Sequence, residues 1–183
     1  MKTWQNTKQI VDSLATRKGP FGDVDEVRNW MIKRNHAVQV RVDLVPFNEL
    51  KGWQIDEATG NIVHQTGKFF SICGLHMETE GAPYRSTWDQ PIIDQPEVGF
   101  LGIIAKEIDG VLCFLLQAKI EPGNINNVQL SPTLQATRSN YMQVHKGKVP
   151  LYLEYFRNFR NHLVLVDQLQ SEQGGRFLRK RNR

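Results

Sequence analysis

The chain is short of the residues on which many familiar active sites are built. It has two cysteines, Cys73 and Cys113, among 183 residues. Two cysteines make no disulfide framework, and these are not spaced as metal ligands. Both fall in apolar, strand-like runs, so buried free thiols in a reducing compartment are expected. The sequence has no Gly-rich phosphate loop of either standard kind, no His/Cys cluster at zinc spacing and no serine nucleophile elbow. No apolar run approaches the length of a membrane span. The N-terminal MKTWQNTKQIVDSL has neither a sustained apolar segment nor a small-residue cleavage site, so it does not read as a secretory signal. These absences predict a cytoplasmic protein without membrane contact, bound metal or redox cofactor.

Charge of one sign is scarce as well. The net charge is +4, and much of it sits in the final RFLRKRNR, with Arg176, Arg179, Lys180, Arg181 and Arg183. A basic tail can bind nucleic acid. Here no aromatic-interleaved basic patch or nucleic-acid motif accompanies it, so a nucleic-acid partner is not expected. An anionic small molecule fits the mild positive balance.

The composition is that of a soluble globular chain, and its length allows one good core with an added helical arm. Ile10, Val11 and Leu14 predict a first helix over Thr3–Arg17, stopped by Gly19-Pro20. Asp23 with Glu26 predicts a capped second helix, its buried stripe made of Val24, Val27, Trp30 and Met31. Alternation over Val38–Val45 predicts a half-buried strand. Phe47–Gly52 suits a helical turn. Trp53–Ile55 and Asn61–Gln65 flank Asp56–Gly60 as a hairpin, and Lys68–Glu78 reads as a further strand. Glu80–Gln95, punctuated by Gly81, Pro83 and Pro91, reads as a loop. Its Trp88 either pins that loop or stacks on a base or sugar, with Arg85 beside it for a phosphate.

Val98–Glu107 and Val111–Ile120 are apolar on both faces around the turn signal Asp109-Gly110. Such strands belong in the middle of a covered sheet. From the second one emerges the polar stretch QAKIEPGNINNVQLSPTLQATRSNY, Gln117–Tyr141. Pro122-Gly123 and Ser131-Pro132 are turn residues, but turns do not require so many amides, hydroxyls and charges. The stretch predicts a site for a polyhydroxylated or phosphorylated ligand at the end of a rigid strand. Lys119, Arg138 and Arg85 are its candidates for anions, and Glu97, Glu121, Tyr141 and His145 its candidates for acid–base work. Val128–Thr137 should be extended, Ser139-Asn140 a turn, and Val149–Phe156 and His162–Gln173 helical, with a strand opening at Arg176. The pattern as a whole is one α+β domain.

The run QPIIDQPEVGFLGIIAKEIDGVLCFLLQAKIEPGNINNVQLSPTLQATRSNY closely resembles the NDP-hexose 2,3-dehydratases of deoxysugar biosynthesis. The likeness continues in Tyr152–Phe156 and in LQSEQGGRFLRKRNR, and upstream in GWQIDEATGNIVH and GKFFSICGL, covering nearly the whole chain. It implies a Nudix-hydrolase-like mixed β-sheet flanked by helices, here with an N-terminal helical arm over residues 1–37 and one module over 38–183. It further implies dehydration of a dTDP-4-keto-6-deoxyhexose across C2 and C3, and a homodimer. Such enzymes carry two related modules, and this length has room for one. The alternatives are therefore a half-module that binds a nucleotide sugar and needs a partner module, or a divergent nucleoside diphosphate hydrolase. The Glu-rich signature of active Nudix hydrolases is absent. For a substrate of that class, Arg138 and Lys119 are the candidates to hold the diphosphate and Trp88 the candidate to stack on thymine. Glu121, Tyr141 and His145 would supply acid and base. Gln117, Asn124, Gln129, Gln135, Ser139 and Asn140 would hold sugar hydroxyls or order the loop.

Overall fold

The computed structural model describes residues 2–81, 86–141, 148–158 and 162–183; for 2–6, 138 and 141 it describes the backbone alone. In chain order come α1 (Lys2–Ala15), β1 (Lys18–Gly19), β2 (Gly22–Asp23), α2 (Val24–His36), a 3-10 turn (Phe47–Glu49), β3 (Trp53–Ile55) and β4 (Ile62–His64). They are followed by β5 (Ser71–Thr79), β6 (Ser86–Asp94), β7 (Phe100–Gly102), β8 (Ile104–Ile108), β9 (Val111–Leu115) and β10 (Gln117–Ile120). The chain closes with β11 (Val128–Ser131), β12 (Leu134–Ala136), α3 (Arg138–Tyr141), α4 (Leu153–Arg157), β13 (Gln170–Ser171) and β14 (Arg181–Asn182). Several small sheets and few helices make this an α+β protein. The chain divides into two compact units. One comprises Met1–Asp43, Leu101–Gln135 and Leu151–Asp167, and the other Leu44–Phe100, Ala136–Pro150 and Gln168–Arg183.

In the first unit, α2 starts where the local chemistry dictates. The Asp23 side chain accepts from Glu26 N at 2.9 Å, and the Glu26 carboxylate accepts from Asp23 N at 2.8 Å, satisfying two amide donors that a helix start leaves open. The expected buried stripe is not formed. Val24, Val27 and Trp30 are exposed, and the Arg34 guanidinium lies over the Trp30 ring, 5.2 Å from its centroid. It is Asn35 that ties the helix to the sheet. Its side-chain amide accepts from Val128 N at 2.9 Å and donates to Val128 O at 3.0 Å, as a neighbouring strand would. Helix α1 lies along β9, where Ser13 Oγ donates to the Leu112 carbonyl and Gln9 donates to Glu107 at 2.7 Å.

β8 and β9 pair in antiparallel register from Ile104↔Leu115 to Ile108↔Val111. The turn between them puts Asp109 at φ 51° and Gly110 at φ 77°, the twist that a two-residue hairpin requires. The predicted long strands are each broken, at Ile103 and at Leu116. They do not form the middle of a covered sheet, because among the described residues β8 and β9 pair only with each other. Ile103, Phe114, Leu115 and Leu116 are consequently exposed. Farther on, Gly102 admits the Phe156 ring of α4 against its backbone, where any Cβ would collide with it. Thr133 is fully buried, at 0% exposure. Its hydroxyl donates to the Leu115 carbonyl and accepts from Ile104 N at 2.9 Å.

The second unit is built on an antiparallel sheet in the order β3-β4-β5-β6. The β3–β4 hairpin forms as its sequence predicts. Trp53, His64, Phe69 and Phe70 cluster on it, with His64 and Phe69 centroids 4.3 Å apart. Gly52, at φ 81°, leaves room for the His64 ring, since a Cβ there would sit 2.6 Å from Nε2. The predicted loop over Glu80–Gln95 is corrected in large part to strand β6. Its Pro91 pairs opposite Gly74, and β6 is the last strand of its sheet, the place where a residue without an N–H is tolerated. The expected strand over Val38–Val45 is absent. It has the alternation but no neighbouring strand among the described residues, and Val42, Leu44 and Val45 are exposed. The expected helix over His162–Gln173 is also absent, and Leu163, Val164, Leu165 and Val166 present no buried face. Both cysteines are free and half-buried rather than buried.

The basic C-terminal segment is folded into the second unit. Leu178 N donates to Ile93 O at 2.9 Å and Arg183 N to Gly99 O at 2.8 Å. Parallel bridges join Ile93 to Phe177 and Gly99 to Asn182. Lys180 and Asn182 are buried, so only part of that charge faces solvent.

On the solvent side of β5 and β6, His76 Nδ1 lies 2.6 Å from Asp89 and Nε2 lies 3.2 Å from Glu78. The hydrogen bond that the ring donates to Asp89, helped by the one to Glu78, holds the imidazole above its ordinary value of 6.5. A value raised by folding contributes stability that is fully present below the unfolded value and is lost as pH rises through the folded one. An NMR titration should therefore find the His76 midpoint above 6.5. In Asp89→Asn the midpoint should fall, and with it the loss of β5–β6 amide protection on raising the pH. A midpoint unmoved by Asp89→Asn would exclude this coupling.

Candidate functional site

The polar stretch identified from sequence divides between the two units. In the first, β10 and β11 pair with Gln117 opposite Ser131 and Lys119 opposite Gln129. The two-residue period of a strand puts these four side chains on one face, and all four are partly buried. The intervening turn folds on itself. Asn124 N donates to Glu121 O at 3.0 Å, and the Asn124 side chain reaches the carbonyls of Lys119 and Asn127 at 3.4 Å. This turn brings the Glu121 carboxylate to 2.7 Å from Lys119 Nζ.

Lys119, Glu121, Asn124, Gln129 and Gln135 line one pocket of about 100 Å³. Ser131, Pro132 and Leu130 complete its wall. Sites for whole small-molecule ligands are typically about 300–1,000 Å³, so this pocket suits one part of a larger molecule. It offers an ammonium group for an anion or a developing negative charge, a carboxylate able to take a proton, and amides that donate to and accept from hydroxyls. Lys119 and Glu121 are both part-exposed, so their pairing is weak enough for a ligand to compete with it. Gln117 belongs to the same face but serves internally, its amide donating to the Thr133 carbonyl.

The remaining candidates lie in the second unit. Trp88 is on β6, half open to solvent, with its Nε1 donating to Gln90 Oε1 at 3.2 Å. Gln90 in turn donates to the Gly175 carbonyl at 2.8 Å. Ser139 is buried, its amide donating to Glu97 Oε2 at 2.8 Å and its hydroxyl 2.9 Å from that of Thr137. Asn140 is exposed. Arg138 and Tyr141 have described backbones in α3 but not described side chains, and Arg85 and His145 lie outside the described residues.

Sequence reading assigned no role to Ser131-Pro132 beyond a turn, although they form pocket wall. It also passed over Thr133, whose hydroxyl fixes the strand ends behind that wall. Nothing local distinguishes a buried threonine from its polar neighbours. Among the described residues, no group of three His, Cys, Asp or Glu side chains could hold a metal ion. No helix among them is long and apolar enough to cross a membrane.

The family model of the NDP-hexose 2,3-dehydratases matches residues 24–183. Three curated relatives are each a dTDP-4-dehydro-6-deoxy-alpha-D-glucopyranose 2,3-dehydratase. That of Amycolatopsis orientalis is 51% identical over 180 residues, which is 96% of this chain and 38% of the relative. That of Saccharopolyspora spinosa is 49% identical over 180 residues, 97% of this chain and 36% of the relative. That of Streptomyces violaceoruber is 48% identical over 155 residues, 84% of this chain and 35% of the relative. The chain thus spans little more than a third of the length of the relatives it matches. Because that family model matches 160 consecutive residues, 24–183, the chain belongs to the NDP-hexose 2,3-dehydratase family.

Proposed function

We propose that the chain is one module of a carbon–oxygen lyase that dehydrates dTDP-4-keto-6-deoxyglucose across C2 and C3. The observation that carries this reading is the pocket around Lys119 and Glu121, which lies within the residues shared with the named dehydratases. The substrate's C4 ketone acidifies the C3 proton. A base removes that proton, and the electron pair passes to the C4 oxygen as an enolate. Donors aimed at that oxygen lower the barrier. The enolate then expels the C2 hydroxyl, which leaves as water after protonation by a general acid. The resulting enol takes up a proton at C2 and becomes the 3-ketone, giving the 3,4-diketo-2,6-dideoxy sugar nucleotide. Each proton has a source and a destination among ordinary side chains.

In this scheme Glu121 is the base supported by geometry, with Tyr141 and His145 the other acid–base candidates. Lys119 and Arg138 take anionic charge, and Trp88 offers a face to thymine. Asn124, Gln129 and Gln135 meet sugar hydroxyls. Residues 38–183 form a Nudix-like module, with residues 1–37 as its helical arm. The partner is a second module or a second copy of the chain.

The test is direct. The chain is incubated with the 4-keto sugar nucleotide, and the unstable diketone is trapped by a 3-ketoreductase. Trapped product supports the dehydratase, whereas release of a nucleoside monophosphate would indicate a diphosphate hydrolase. The span of about a third of the relatives' length favours a second reading, a module that binds the sugar nucleotide but needs another module to turn it over. Calorimetric binding without turnover would select that reading. In either case Lys119→Ala should weaken binding about tenfold or more, as expected for a lost hydrogen bond to a charged group. Unchanged affinity would remove Lys119 from the site.

A further inference from the structure

The second unit contains a buried charged cluster that the scheme above does not use. Lys180 is only 5% exposed. Its ammonium donates to the backbone carbonyl of Glu97. Burial pulls the Lys180 pKa down, while the nearby Glu97 and Glu172 carboxylates oppose that shift. Glu172 is itself held, accepting from the Asn182 amide through its side chain and donating its backbone N–H to Lys180 O at 2.9 Å. Burying an ammonium this deeply is unfavourable unless its hydrogen bonds and its charge are both answered.

The other end of the cluster points at the polar stretch. The Glu97 side chain accepts from Ser139 N at 2.8 Å. Ser139 is 8% exposed, and its hydroxyl meets that of Thr137 at 2.9 Å. Asn140 N closes the turn on Thr137 O at 3.1 Å. The Thr137–Asn140 turn is therefore fastened from below by Glu97, and Glu97 is fastened by Lys180. The exposed member of the turn is Asn140.

We propose that Glu97 and Lys180 are positioning residues, forming a buried relay that fixes the Thr137–Asn140 turn so that Asn140 meets the sugar nucleotide. This deepens the functional reading above and rests on it. The relay makes no contact with the ligand itself. It sets the backbone from which one polar side chain is presented, where a displacement of about 1 Å is enough to cost binding or rate.

Four variants of the full chain test it: Glu97→Ala, Glu97→Gln, Asn140→Ala and the double variant that combines Glu97→Ala with Asn140→Ala. Glutamine keeps an oxygen that accepts from Ser139 N, and alanine does not. Two quantities are read, the hydrogen exchange of the Ser139 amide and the calorimetric affinity for dTDP-4-keto-6-deoxyglucose. Glu97→Ala should speed Ser139 exchange by about tenfold or more and weaken binding by about tenfold. Glu97→Gln should restore both toward wild type. The Glu97→Ala/Asn140→Ala double variant should bind little worse than either single one, because both act through the same turn.

If Ser139 exchange is the same in Glu97→Ala, the relay is overturned whatever the affinity does. If exchange quickens and affinity holds, the turn fails as part of the site. If the two substitutions add, Glu97 acts other than through Asn140, and the proposal is likewise overturned. A wild-type chain that binds no sugar nucleotide defeats the functional reading instead, an outcome seen before any variant is made.

Discussion

On the dehydratase reading proposed above, replacing Glu121 by glutamine should lower turnover of dTDP-4-keto-6-deoxyglucose by about 10²–10⁴-fold, the usual effect of removing a general base. The substitution is nearly isosteric and leaves an oxygen facing Lys119 Nζ, 2.7 Å away in the parent protein. It therefore removes basicity while disturbing the pocket little. Affinity should stay within about threefold or improve, because an exposed ion pair contributes little and its loss frees the ammonium for the ligand. The first chemical step has its own readout. In D2O the parent protein should exchange the substrate's C3 proton for deuterium, and Glu121→Gln should not. Undiminished exchange in the variant would move the base to another residue, Tyr141 and His145 being next in line.

Truncating Leu134 to alanine should cost about 2–5 kcal/mol of folding stability, the range for emptying a well-packed leucine site. Leu134 is 1% exposed and stands between Thr133, whose hydroxyl bonds to Leu115 and Ile104, and Gln135, which lines the pocket. Domains typically hold only about 5–15 kcal/mol in all, so a loss of this size shifts the urea midpoint of the first unit plainly. Leu130 is the control. It also lines the pocket but is exposed, and Leu130→Ala should cost less than about 1 kcal/mol. Equal midpoint shifts for the two variants would show that burial at Leu134 is not what holds this wall.

The features that could be read from the chain are those whose causes are local. Asp23 and Glu26 are three residues apart and cap α2 with each other. Asp109-Gly110 takes up the positive φ angles that such a pair tolerates. The pocket was legible for the same reason, since alternate residues of β10 and β11 share a face and the turn between them is polar. Readings failed where a distant segment decides. Val38–Val45 alternates but meets no strand among the described residues. Pro91 looked like loop punctuation, yet the end position of β6 tolerates it. The apolar pattern of Val111–Ile120 implied cover on both faces, and nothing in that pattern states that, among the described residues, β9 pairs with β8 alone. Lys180 read only as part of a basic tail. Its burial arises from pairing with residues over 80 positions earlier.

The interleaving of the two units bears on how the chain is made. Each unit is stitched from three separate segments, the first complete only with Leu151–Asp167 and the second only with Gln168–Arg183. During synthesis neither can close until its last segment has left the ribosome. Contacts so distant in sequence slow folding, because chain entropy is lost before the contacts repay it. For the same reason no single cut frees one unit whole: a protease that nicks one of the connecting segments severs part of a core rather than trimming a domain from its neighbour.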